Sequence, residues 1–465
     1  MCTGSQMPLR VPSPGVVCLF AAAFVFGLAG AQESPAPKVS FNGDVAGIIY
    51  KSCTPCHRPG GMAPMSLLTY KDARPWAKSI REAVAERKMP PWHADPRYGE
   101  FRNDRRLTDE EIRTLVAWVE GGALKGNERD LPPAPSFTEG WRIGKPDVVL
   151  SMEKEYTLQA QGPDEYQFFV IPAGFKEDRW IQAAEARPGN SRVVHHLIAF
   201  IQPKRSADGE KRASGGKRDT IFFKDGTLIR VAPDVPVYDN GCGTPEGGQG
   251  VRRDGSERDV MPDLLAGEAP GRDADVWEPG QAKRLPAGAD ILLQVHYSRN
   301  GSVEKDRSSV GLIFATRPPE HELKTVGIAN HYFRIPPGAD NHEVASCYTF
   351  GEDVHLTSLM PHMHVRGKNM QYRAYYPDGR SEILLSVPSY SFNWQTTYYL
   401  KKPIALPKGT RLEVKAHFDN SPRNPTNPDP AKAVRWGDPT YDEMMIGWID
   451  YYRDGRAPVT ASSRR

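Results

Sequence analysis

The sequence predicts a multidomain chain in which a small all-α unit is followed by two all-β sandwich domains. Three observations lead to this. At 465 residues the chain is too long for one hydrophobic core. Between 42 and 126 apolar residues recur at helical spacing, whereas beyond 140 they come in short alternating runs. Gly and Pro number 42 each, which with 25% charged residues suits short strands joined by turns. The expected division is a signal peptide at 1–31, the α unit at 40–127, a proline-rich linker at 128–140, and sandwiches at 141–318 and 319–455.

At the N-terminus Arg10 precedes an apolar run from Val16 through Leu28, then Ala29-Gly30-Ala31, the pattern of a secretory leader with a small-residue cleavage site. The run is short for a membrane span, an uncleaved anchor being the alternative, and no other segment could cross a bilayer. A periplasmic or secreted protein is expected, and cleavage would remove Cys2 and Cys18. The formal charge is +3, with Lys and Arg spread along the chain. Nothing in that distribution favours nucleic acid or an anionic membrane as partner.

In the α unit, Cys53-Thr54-Pro55-Cys56-His57 is the c-type haem attachment pattern. Two thiols three positions apart can form thioethers to one haem, and the adjacent His then lies under the iron. A zinc site would need a second close ligand pair, which this region lacks, and a redox dithiol needs no following His. Val45, Ile48 and Ile49 predict one helix face, and Trp76, Ile80 and Val84 a second. A third starts at the capping box Thr108/Glu111, carries Ile112, Leu115, Val116 and Val119, and stops at Gly121-Gly122. Met62 and Met65 lie too near His57 to reach the opposite haem face. Met89, before Pro90-Pro91, is the better distal ligand, with His93 its rival. The segment 42–126 resembles a class I cytochrome c.

Strands are predicted at 166–171, 180–186, 193–200, 291–297, 310–316, 354–359, 371–376 and 410–418. The stretch from Gln202 to Arg284, dense in Gly, Asp, Lys and Arg, reads as extended surface loops. With haem and leader accounted for, Cys242 and Cys347 remain as candidates for a disulfide in an oxidising compartment. Sequence does not fix whether their Cα atoms come within about 7 Å.

The histidines carry the chemistry. In Pro361-His362-Met363-His364 strand alternation turns both imidazoles one way and Met363 the other. Imidazole suits both copper oxidation states and a distant thioether favours Cu(I), so His362, His364 and Met444 describe a redox copper site, with Met445 the alternative sulfur. The competing reading is an incidental strand pair and a core Met. His195-His196 could share one ion only at a strand end or bulge. His296 ends another apolar run. Of His93, His321, His331, His342, His355 and His417, which read as ordinary residues, His417 is the one expected nearest the cleft.

Taken in order, His195-His196, Gln294-Val295-His296-Tyr297, His362-x-His364 and Glu443-Met444 resemble the copper type II, ascorbate-dependent monooxygenases, the family of the peptidylglycine α-hydroxylating and dopamine β-monooxygenases. The resemblance spans 140–452, and Cys347 falls at a family-like distance before the HxH. It implies two jelly-roll sandwiches and two copper ions. One copper would sit on His195, His196 and His296; the other, where O2 binds, on the catalytic set His362, His364 and Met444. With the covalent haem c on Cys53, Cys56, His57 and Met89, this implies O2-dependent C–H hydroxylation of a small organic substrate. The haem would be the electron donor, feeding the three-His copper first, with ascorbate or a redox donor protein as further sources of electrons. Two departures stand out. Met360 occupies the place of a substrate-binding Arg, and Trp448 that of a Tyr, so a glycine-extended peptide is a poor substrate candidate. The rival reading is a periplasmic copper and haem electron carrier, or a copper-binding protein, without organic turnover.

Overall fold

The computed structural model describes residues 38–137, 140–203, 263–269, 271–331, 333–453 and 455, with the backbone of 223–224 and 227–228. The expected leader and Cys242 lie outside the described residues. Among the described residues no helix is long and apolar enough to cross a membrane.

The N-terminal unit contains α1 (Ala46–Ser52), α2 (Tyr70–Ala73), α3 (Ala77–Ala85) and α4 (Asp109–Glu120). The capping box at α4 is formed: the Thr108 hydroxyl accepts from the Glu111 amide and the Glu111 carboxylate from the Thr108 amide. Phe41, Val45, Ile49, Ile80, Val84, Leu115 and Trp118 close a small core. One expectation fails here. A 3-10 turn at Arg74–Trp76, which contains Pro75, separates α2 from α3, and Trp76, expected on the inner face, is 42% exposed.

The rest of the chain is β, with sixteen strands of four or more residues among the described residues. In chain order they are β1 (Val148–Ser151), β2 (Glu165–Pro172), β3 (Arg179–Arg187), β4 (Val194–Gln202), β5 (Asp263–Glu268), β6 (Gln281–Leu285), β7 (Asp290–Tyr297) and β8 (Ser309–Phe314). There follow β9 (His321–Ala329), β10 (His342–Thr349), β11 (Val354–His362), β12 (Gly367–Tyr375), β13 (Ser381–Val387), β14 (Tyr398–Leu406), β15 (Arg411–Phe418) and β16 (Ile446–Arg453). One large sheet runs β1-β8-β3-β6-β9-β16-β11-β14, and two four-stranded sheets, β2-β7-β4-β5 and β10-β15-β12-β13, cover its two halves. Each half forms a sandwich with its own apolar core, one centred on residues such as Ile181, Leu197, Ile291 and Leu312, the other on Leu356, Met363, Tyr372 and Val414.

The sandwiches are not separate bodies on a tether. Their shared sheet is continuous through β6 and β9, which pair in parallel at Gln281↔His321 and Ala282↔Glu322, while the other paired strands are antiparallel. A further apolar cluster lies in this seam, with Phe200, Leu264 and Leu292 from the first sandwich against Ala329, Met360, Met444, Ile446 and Trp448 from the second. This corrects the reading of 202–284 as surface loops. Within it β5 buries Leu264, Leu265 and Ala266, and Arg272, Asp275 and Lys283 are buried as well. The Lys283 ammonium reaches Asp263 (3.0 Å), the Leu264 carbonyl and Thr325, whose hydroxyl meets Asp450. Arg272 pairs with Asp275 at 2.9 Å. Buried charges of this kind persist because they are paired and hydrogen-bonded.

The stretch after Met89 is a second correction. It does not stay with its own helices. Trp92, Ala94 and Phe101 enter the core of the second sandwich, with the Trp92 and Phe101 rings 5.0 and 5.4 Å from that of Tyr398. Phe101 bridges Leu400, the Arg102 amide donates to the Tyr399 carbonyl, and the Lys401 amide donates to Glu100.

Two stability outcomes follow. Trp92→Ala should cost about 3–5 kcal/mol, because a ring 8% exposed leaves a cavity between two units; denaturant unfolding should show it in the sandwich transition as well as the helical one. Lys283→Met should cost about 3–5 kcal/mol by stranding Asp263 beside Asp450, whereas Lys305→Met, at an exposed pair, should change the midpoint little.

Candidate metal centres

The first cluster is built by a strand irregularity. β4 pairs with β7 residue for residue until His296↔His196, after which Tyr297 faces Val194 and His195 is left as the extra residue. Such a bulge re-aims a side chain, and His195 comes to the same side as His196. The Nδ1 atoms of His195 and His296 lie 3.3 and 3.4 Å from Nδ1 of His196, and one ring nitrogen from each of the three falls within 4.8 Å of the others.

The tautomer of His296 follows from its partner. Asp164 is 3.1 Å from Nε2 and can only accept, so that nitrogen carries the proton and Nδ1 presents a lone pair to the cluster. Ser298 donates to the same carboxylate oxygen (2.8 Å), and Tyr166 stacks on His296 at 4.3 Å between centroids. Burial lowers the pKa of all three imidazoles. It holds His296 at about 4, with His195 adding to the effect, and His196 well below its ordinary value, where neighbouring imidazoles reinforce burial. Three neutral imidazoles with ring nitrogens this close offer a compact donor set for one cation.

The second cluster stands at the end of β11. His362 and His364 have ring centroids 5.5 Å apart, while Met363 is turned into the sandwich core. Tyr390 fixes the turn by accepting from the Met363 amide (3.1 Å) and donating to its carbonyl (2.7 Å). Nδ1 of His362 donates to Gln395 Oε1 (2.8 Å), and Nδ1 of His364 to the Asp442 carbonyl (3.2 Å). Both Nε2 atoms are thereby the ones left to bind. Burial lowers both pKa values, that of His364 to about 3. Buried Glu443 accepts from the amides of His364 (2.8 Å) and Arg366 (2.7 Å), and burial raises its pKa to about 8. Its neighbour Met444 faces the seam, whereas Met445 is enclosed in the sandwich core. The two clusters face each other closely enough for His362 and His364 to contribute to the depressed pKa of His196.

In the helical unit Cys53 and Cys56 are free thiols, and Nδ1 of His57 is 3.3 Å from the Met65 carbonyl, which makes it the donor and leaves Nε2 open. Met89 is 43% exposed and Met62 45%. His417, expected nearest the cleft, instead engages Asn369 (2.9 Å) and Glu343 (3.4 Å) across its own sheet. Asp164, Tyr166, Phe392 and Gln395 escaped sequence reasoning. The first two could have been sought opposite His296 on a neighbouring strand, but nothing marks the 388–397 loop.

Comparison with known proteins bears on the same regions. Residues 325–463 match the model of the copper type II ascorbate-dependent monooxygenase C-terminal domain. The mouse DBH-like monooxygenase protein 2 is 22% identical over 177 residues, 35% of this chain and 28% of that one. The mouse and human DBH-like monooxygenase proteins 1 are 21% and 20% identical over 75% of this chain and 56% of theirs. The chain thus spans about half or less of the length of these relatives. The domain match over 325–463, which contains His362, His364 and Met444, and the more distant likeness over most of the chain together support the copper type II ascorbate-dependent monooxygenase family.

Proposed function

We propose that the chain is a copper-dependent monooxygenase that hydroxylates a C–H bond of a small organic substrate with O2 and receives electrons from its own c-type haem. The observation that carries this reading is the pair of imidazole clusters: three ring nitrogens of His195, His196 and His296 brought together, with His296 held by Asp164, and His362 and His364 each held through Nδ1 so that Nε2 is left to bind. His195, His196 and His296 would hold one copper through Nδ1. His362 and His364 would hold the other through Nε2, with Met444 as the soft ligand that favours Cu(I). Bound there, copper supplies one-electron chemistry and O2 activation. The protein's part is to orient the imidazoles through Asp164, Gln395 and the Asp442 carbonyl, keep them neutral by burial, and wall the seam with Met360 and Trp448.

Cys53, Cys56 and His57 would attach the haem. The free thiols and open Nε2 suit this, and Met89 is carried as distal ligand. Electrons would pass first to the three-His site, with ascorbate or a redox donor protein as the ultimate source. A cleaved leader at 1–31 and a periplasmic or secreted location belong to the same reading, as does a disulfide between Cys242 and Cys347, the latter having the character of a disulfide cysteine. The second reading is a copper and haem electron-transfer or copper-holding protein without organic turnover. It is favoured by the Phe392 ring, which packs against His195 of one cluster and His364 of the other.

Elemental analysis should give about two coppers per chain, falling by one in His195→Ala and by the other in His362→Ala; an unchanged content in both variants refutes the sites. X-ray absorption of the Cu(I) protein should show a copper–sulfur distance that disappears in Met444→Ala and persists in Met445→Leu. Gln395→Ala should weaken copper binding at one site by about 10–100-fold. A pyridine haemochrome spectrum should report one covalent haem, lost in Cys53→Ala. O2 consumption coupled to hydroxylated product separates the enzyme from the electron carrier.

A further inference from the structure

β11 and β16 stay paired as far as His362↔Ile446, and there the ladder ends. His364 and Met444 each lie two residues beyond that last pair, on chains that have left each other's hydrogen-bonding reach. The Met444 side is pinned by its own surroundings. The Glu443 amide donates to the Arg435 carbonyl (3.1 Å), the Gly437 amide to the Glu443 carbonyl (3.1 Å) and the Asn330 amide to the Met445 carbonyl (3.2 Å). Beyond the ladder, side chains take over the join. Among the described residues three contacts do so. His364 Nδ1 meets the Asp442 carbonyl (3.2 Å), and Arg366 Nη1 donates to the Tyr441 carbonyl (2.9 Å). The third is the Glu443 carboxylate, 0% exposed, whose Oε2 accepts from the His364 amide (2.8 Å) and Oε1 from the Arg366 amide (2.7 Å). The first contact ends on a ring that can turn about its side-chain bonds and the second on a long side chain. Glu443 alone of the three grips the main chain of the turn, with one carboxylate oxygen for each of two alternate amides that a continuing strand would otherwise have served.

We infer that Glu443 is a positioning residue that fixes the Met444 thioether relative to His362 and His364. This deepens the copper reading of that cluster and rests on it. Without the carboxylate two buried amides lose their acceptor, and the turn must shift away from the Met444 segment to satisfy them elsewhere. The imidazoles keep their own orienting partners, Gln395 and the Asp442 carbonyl, so they remain able to bind. The loss therefore falls on the sulfur. A thioether supports Cu(I) far more than Cu(II), so misplacing it separates the two oxidation states, whereas general loosening of the site would weaken both alike.

The test measures Cu(I) and Cu(II) affinity by chelator competition on the full chain in a His195→Ala background, where the second site alone loads, together with X-ray absorption of the Cu(I) form. Glu443→Ala should bind Cu(II) as its parent does, bind Cu(I) about 10–100-fold more weakly and lose the copper–sulfur signal. Glu443→Gln keeps one acceptor oxygen and turns a donor toward the other amide. It should fall between the two, and it decides the matter if the alanine variant does not fold. A parent-like copper–sulfur signal and Cu(I) affinity in a folded, loaded Glu443→Ala or Glu443→Gln overturns the inference, and so does an equal loss of affinity for both oxidation states. A parent that binds no copper, or whose copper–sulfur signal is absent or survives Met444→Ala, instead defeats the copper reading of this cluster. The two failures are therefore distinguishable.

Discussion

Everything in the site geometry depends on a narrow parallel contact between two strands. β6 and β9 share two residue pairs, and through them two sandwiches become one sheet. Two pairs are too few to hold a domain interface. The Lys283 ammonium, gathering Asp263, the Leu264 carbonyl and Thr325, ties β5 and β6 of one sandwich to β9 and, through Asp450, to β16 of the other. Arg272 adds a second tie, since its guanidinium pairs with Asp275 and also lies 3.0 Å from the Met360 sulfur of β11. These buried charges give the seam a register that apolar contacts between Phe200, Leu292 and Trp448 would not impose by themselves.

That register decides where the imidazoles stand. His196 and His296 face each other on adjacent strands of one sheet, and the bulge adds His195 to their side. His362 closes β11, the strand next to β16 in the other half, so the join between halves aims it across the seam. Orientation is then finished by groups that bind no metal in the proposed arrangement. Asp164, Gln395 and the Asp442 carbonyl each accept a hydrogen bond from one ring nitrogen, which keeps the proton there and leaves the other nitrogen free.

What sequence revealed and what it hid divides along physical lines. Local spacing was legible: alternation placed His362 and His364 on one side of Met363, the adjacent pair His195-His196 demanded an irregular strand, and Thr108/Glu111 marked a helix start. Half of the sixteen longer strands declared themselves by alternation. The failures lie where burial and polarity part company. Asp263, Arg272, Asp275 and Lys283 look like loop residues in composition, yet they sit inside the seam because partners from distant strands neutralise them. Trp92 follows the expected distal ligand Met89, and no local signal tells that its ring packs on Tyr398, far along the chain. Gln395 and Phe392 sit in an irregular connection, where position comes from tertiary anchoring and leaves no periodic trace.

The pairing of residues 100–102 with β14 has a consequence for how the molecule behaves among its own copies. β14 is the last strand of the large sheet, and a last strand offers an unfilled row of amide and carbonyl groups to any chain that can extend alongside it. The Arg102 and Lys401 amide bonds occupy part of that row, and the Trp92 and Phe101 rings cover the apolar surface beside it. The N-terminal unit is thus also a lid on a sticky margin. Shortened versions of the chain that begin at the first sandwich would carry that margin bare, and self-association through it is the natural fate of such a fragment.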